Sequence, residues 1–80
     1  MITCERIQSL IEAHIPDSVA RVENEYNDGE HFAAEVMSPA FEGARLVRQH
    51  QMVYRALGDL MSGPIHALAL KTYTPDQWPY

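Results

Sequence analysis

Apolar positions along this chain switch between two periods, and the switches mark its elements. From residue 3 to 14 they recur at spacings of three and four: Cys4, Ile7, Leu10, Ile11 and His14 share a face, while Glu5, Arg6, Gln8 and Glu12 fall elsewhere. This predicts an amphipathic helix capped by Thr3. Pro16 ends it, because proline disfavours the helical conformation of the residue before it. Residues 18–26 alternate loosely and predict a half-exposed strand. Asn27-Asp28-Gly29-Glu30 reads as a turn, since Asp-Gly supplies the positive φ angles a hairpin needs. In the return strand, 31–37, Phe32, Ala34 and Val36 share an inward face, and His31, Ala33 and Glu35 share the other.

Ser38 and Pro39 then suit the cap and first position of a short helical turn through Phe41, broken by Gly43. A long helix is expected over 44–61, with Leu46, His50, Val53, Leu57 and Leu60 as its apolar stripe, widened by Tyr54 and Met61. Ser62-Gly63-Pro64 terminates it. A third strand follows at 65–73, with Leu68 and Leu70 facing the core. Thr74 and Gln77 are spaced for a capping box around Pro75, and Tyr73 and Trp78 are expected to close the core.

The order is α-β-β-α-α-β-α in one domain, residues 1–80. The first two strands form an antiparallel hairpin. The second and third are joined by a helical crossover longer than a dozen residues, the connection that parallel neighbours require. The expected fold is α/β (α+β), with a mixed three-stranded sheet covered by helices on one face.

Bulk composition narrows the partners. The longest apolar run, Ala67-Leu68-Ala69-Leu70, is far short of the about 20 residues of a membrane span. The first residues lack the basic-then-apolar pattern of a signal peptide. A single cysteine allows no intrachain disulfide and fits a reducing compartment, cytoplasm or an organelle matrix. A net charge of −5 argues against a protein whose affinity comes from neutralising many phosphates. Enzyme chemistry is not expected: there is no Ser-His-Asp spacing, phosphate-binding glycine loop or evident carboxylate pair.

The histidines carry the chemistry. An imidazole can ligate metal, titrate near neutrality or anchor a partner. If the second and third strands are parallel neighbours, their first residues lie at one sheet edge, with His31 and His66 there. Adjacent strands sit about 4.8 Å apart, close enough for both imidazoles to approach one metal or cluster. If the first strand lies between them, that separation doubles. Two histidines do not complete a site. Structural zinc takes four ligands, and iron–sulfur clusters usually take four thiolates, although two histidines can replace two of them on one iron. The lone thiol, Cys4, turns toward the core, so the missing ligands must come from another molecule. His50 falls on the apolar stripe as a packed or boundary residue, and His14 lies near a helix C-terminus, where a cation is favourable.

In collinear order, Phe41-x-Gly43, Arg48-Gln49-His50-x-x-Val53-Tyr54-x-x-Leu57, Ile65-His66-Ala67-Leu68 and Thr74-Pro75-x-x-Trp78 resemble the BolA family. The likeness runs from His31 to Trp78. It implies the BolA fold, similar to a class II KH domain. It also implies a heterodimer with a monothiol glutaredoxin that shares a [2Fe–2S] cluster, in cluster handling or in iron and redox sensing. In that family the glutaredoxin cysteine and glutathione supply the sulfur. The BolA-like partner supplies the histidine matching His66 and, in many members, a His or Cys of the hairpin loop, which His31 matches. The isolated chain is then expected to carry no cofactor and to be a monomer or weak homodimer.

A second reading concerns DNA. The turn before Gly43 and the arginine-bearing helix after it resemble a helix-turn-helix, and several BolA-like proteins are described as transcriptional regulators. Arg45, Arg48, Gln49 and Arg55 lie mainly off the apolar stripe, and their side chains suit phosphates and base edges. Glu42 and Asp59 flank them, and a solvated amphipathic face also explains them. The Gly-x-x-Gly loop with which KH domains clamp RNA is absent from Phe41-Glu42-Gly43-Ala44-Arg45.

Overall fold

A computed structural model describes residues 2–80. Helix α1 (Cys4–His14) starts where the Thr3 hydroxyl accepts from the Arg6 amide at 3.1 Å. It buries Ile7 and Ile11. Strand β1 (Val19–Asn24) pairs antiparallel with β2 (His31–Met37), which pairs parallel with β3 (Ala67–Tyr73). The order is β1-β2-β3, so β2 is central and the expected mixed sheet is present.

Burial alternates along the central strand, because successive side chains of a strand point to opposite faces. Phe32, Ala34 and Val36 are buried, while His31, Ala33, Glu35 and Met37 are half-exposed. The buried face packs with Ile7, Ile11 and Ile15 from the α1 side, and with Val53, Ala56 and Leu57 of helix α2 (Leu46–Leu57). Phe41, in the short 3₁₀ turn Pro39–Phe41, and Ile65 complete this core. Leu68 and Leu70 pack against it while staying partly exposed. Ser38, fully buried, donates to the Pro16 carbonyl at 2.6 Å and caps the short turn by accepting from the Ala40 amide at 3.0 Å.

Four expectations need correction. The long helix is not continuous to Met61: it ends at Leu57, and Gly58, at φ 55° and ψ −128°, redirects the chain into the 3₁₀ segment Gly58–Ser62. The stripe also rotates. Leu46 is 61 % and Tyr54 39 % exposed, whereas Ala56, too small to register as an anchor, is buried. The hairpin loop is longer than a tight Asp-Gly turn. Strand β1 stops at Asn24, and the positive φ angles belong to Asn27 and Gly29, not to Asp28.

Finally, Tyr73 and Trp78 do not close the core. Tyr73 pairs in register with Met37 on the face away from the helices. There its hydroxyl donates to Glu35 at 3.1 Å, as does that of Tyr80 at 2.8 Å. Trp78 packs edge-on to both rings, and the Arg21 guanidinium lies 3.8 Å from the Tyr80 ring centre.

Candidate functional site

The parallel pairing of β2 and β3 sets His31 opposite Ala67, so His66 sits one residue before the third strand. The backbone amides of His66 and Ala67 both donate to the Glu30 carbonyl, at 2.9 and 3.2 Å. This joins the segment before β3 to the loop before β2. The two imidazoles thereby meet edge to face, with ring centres 5.0 Å apart. His66 is exposed and His31 half-buried.

The loop holds His31 tightly. Asp28 Oδ1 accepts from the amides of Glu30 and His31, at 2.9 and 3.0 Å, forming an Asx turn. Asp28 Oδ2 lies 2.7 Å from His31 Nδ1. Hydrogen bonds from the Glu30 and His31 amides, joined by that imidazole, pull the Asp28 carboxyl down to about 2 from the usual 3.8. Tyr26 also packs edge-on with the His31 ring, with centres 5.3 Å apart. Donor atoms of Asp28, Glu30 and His31 all lie within 4.8 Å of one another, a grouping able to hold a cation. Asp28 and Glu30 were read in the sequence only as turn residues. The available signal was an aspartate three positions before a histidine, a spacing that an Asx turn folds together.

Two imidazoles on one metal, with metal–nitrogen bonds of about 2.1 Å and a roughly tetrahedral angle, have ring centres about 5 Å apart. The observed separation of 5.0 Å matches. The donors stand on an open rim: neither histidine lines the hollows of about 490 and 310 Å³ beside the sheet. Such a rim can present nitrogen ligands to a group carried by another molecule. The lone thiol cannot easily add to them, because desolvation chiefly, then the nearby Glu5 charge, pushes the Cys4 pKa up and disfavours the ligating thiolate.

The other candidate residues separate. Arg45, Arg48 and Arg55 are exposed, and none takes part in an ion pair among the described residues. Gln49 is engaged internally. Its Nε2 donates to the carbonyls of Phe41 and Ala44 at 3.2 and 2.9 Å, and its Oε1 accepts from the Thr72 hydroxyl at 2.6 Å. In this conformation it has no free edge for a base. His50 is half-buried on α2, with its Nε2 buried and unpartnered among the described residues.

A mixed three-stranded sheet with helices on one face, and two histidines meeting where two parallel strands begin, defines the class: a small α/β protein with an imidazole pair at the sheet rim. The sequence model described as "BolA: BolA-like protein" matches residues 9–77. The chain belongs to the BolA family.

The structure of a BolA homologue from Coxiella burnetii superposes with a TM-score of 0.84 at 43 % identity, covering 100 % of both chains. Human BolA-like protein 1 is 44 % identical over 48 residues, 60 % of this chain and 35 % of that protein. The DNA-binding transcriptional regulator BolA of Escherichia coli is 42 % identical over 48 residues, 60 % of this chain and 46 % of that protein. The matched stretch thus spans less than half the length of these two relatives.

Proposed function

We propose that this chain is an adaptor rather than a catalyst. It pairs with a monothiol glutaredoxin and contributes His66 and His31 to a [2Fe–2S] cluster. The remaining ligands, the glutaredoxin cysteine and the glutathione thiol, come from the partner. The observation that carries this reading is the accessible imidazole pair with ring centres 5.0 Å apart. A chain with one thiol, held toward its protonated form, must borrow its sulfurs. Neutral imidazole is the ligating form, so protons compete with the cluster for these side chains. When bound, a cluster held partly by imidazole has a higher reduction potential than one held by four thiolates.

The test mixes the chain with a monothiol glutaredoxin and glutathione, then reconstitutes iron and sulfide. Visible absorption and circular dichroism should differ from those of the glutaredoxin alone, and His66→Ala should abolish the difference. A spectrum indifferent to His66→Ala removes this residue from the ligand set. His31→Ala should accelerate cluster loss without preventing formation.

A second reading, DNA binding, is favoured by the exposed arginines of the α2 region and by the function in the name of the Escherichia coli relative. It requires affinity that falls steeply with salt and is reduced in Arg48→Ala. A gel shift across a salt series tests both; affinity insensitive to salt and to Arg48→Ala rejects this reading.

A further inference from the structure

The His31 imidazole has two nitrogens, and only one is free to reach outward. Nδ1 faces Asp28 Oδ2 at 2.7 Å, and the Asp28 carboxylate is itself anchored. Its other oxygen takes the Glu30 and His31 amides, at 2.9 and 3.0 Å, and its own amide donates to Asn24 Oδ1 at 3.1 Å. The loop bends to permit this, with Asn27 at φ 54° and Gly29 at φ 74° on either side of Asp28. A carboxylate oxygen facing a ring nitrogen accepts its proton, so the lone pair falls to Nε2. A metal-bound histidine commonly donates its second N–H to a carboxylate, which sets the tautomer and raises ligand basicity.

We propose that Asp28 is a positioning residue, not a ligand: it fixes His31 as the Nδ1–H tautomer and leaves Nε2 as the donor atom facing a shared metal group. Although the Asp28 carboxylate belongs to the Asp28, Glu30 and His31 grouping, its oxygens already accept three N–H groups from Glu30 and His31. Three of the about four acceptor positions of the carboxylate thus already hold the loop that presents His31. The inference rests on the cluster-sharing reading for its purpose, but its structural content is testable without any cluster.

The experiment has two arms. In the apo protein, at a pH above the imidazole titration, long-range ¹H–¹⁵N correlation should show His31 protonated at Nδ1. Asp28→Asn keeps the size and one oxygen for the backbone amides, but places an NH₂ group where Oδ2 stood, and should move the proton to Nε2. A wild-type His31 protonated at Nε2 overturns the proposal, and this measurement needs no variant to fold. In the second arm, clusters are reconstituted with a monothiol glutaredoxin and glutathione. Asp28→Asn should speed cluster loss about tenfold or more, and should add nothing in a His31→Ala background. A further change there would mean direct ligation by Asp28 and also overturns the proposal. If wild type forms no shared cluster, the functional reading fails while the tautomer result still stands or falls separately.

Discussion

Gln49→Ala separates a structural glutamine from a base-reading one. Gln49 lies one turn into α2, beside the exposed Arg48, and its position off the apolar stripe made it a candidate for DNA. Its amide instead ties three elements together: the carbonyls of Phe41 and Ala44 before the helix, and the Thr72 hydroxyl in β3. Each such bond contributes about 0.5–1.5 kcal/mol net, and an orphaned buried group costs more. The site is only partly buried, so water can replace some of what is lost. The expected destabilisation is about 2–3 kcal/mol. With a urea m-value of about 1 kcal/mol/M for a small domain, the midpoint falls by about 2–3 M. The melting temperature falls by about 10 °C or more. The neighbouring Arg48→Ala, on the exposed face, should stay within about 0.5 kcal/mol of wild type. A double-mutant cycle with Thr72→Val should show a coupling of about 1 kcal/mol, carried by the 2.6 Å bond. If Gln49→Ala leaves the urea midpoint unchanged, the bracing role is wrong. If it also lowers DNA affinity, the side chain reads bases after all.

Other expectations follow from the same geometry. Gly58→Ala should cost about 1–3 kcal/mol in denaturant melts, because backbone strain alone opposes it: a Cβ there meets nothing within 4 Å, at φ +55°. A variant as stable as wild type would show that the helix end relaxes freely. Alkali should release the aromatic cluster. The hydrogen bond to Glu35 raises the Tyr80 pKa above 10.0; desolvation, then the same carboxylate, raises that of Tyr73. The neutral phenols are therefore the stabilising forms. Their contribution is complete below pH 10 and is lost as pH rises through the elevated folded values. Trp78 fluorescence followed against tyrosinate absorbance should change above pH 10, and a midpoint at or below the ordinary value would contradict the clamp. Phe32→Ala, at a position 1 % exposed, should cost about 3–5 kcal/mol, enough to unfold much of an 80-residue domain by circular dichroism.

Local pattern was enough for a great deal here. The 3–4 spacing of Ile7 and Ile11, the alternation of Phe32, Ala34 and Val36, and the caps at Thr3 and Ser38 are properties of a few neighbouring residues, and each appears as expected. The helical crossover also made parallel pairing of β2 and β3 the natural outcome, and with it the shared edge of His31 and His66. Features set by contacts distant in sequence were not legible. Periodicity counts apolar residues but cannot say which way a helix turns when it docks, so Leu46 and Tyr54 were assigned inward while Ala56 took the buried place. The break at Gly58 was not expected, because its φ of 55° is visible only in the folded backbone.

Packing also settled which face receives the final aromatics. The helices already fill one side of the sheet, leaving Tyr73, Trp78 and Tyr80 to gather around Glu35 on the other. At the rim, residue spacing named both histidines but not their support. The Asp28 bond to His31 depends on a loop conformation with alternating signs of φ, and the 5.0 Å ring contact depends on strand register. The ring contact arises only when segments 35 residues apart are brought together by hydrogen bonds to the Glu30 carbonyl, an event no local window of residues contains.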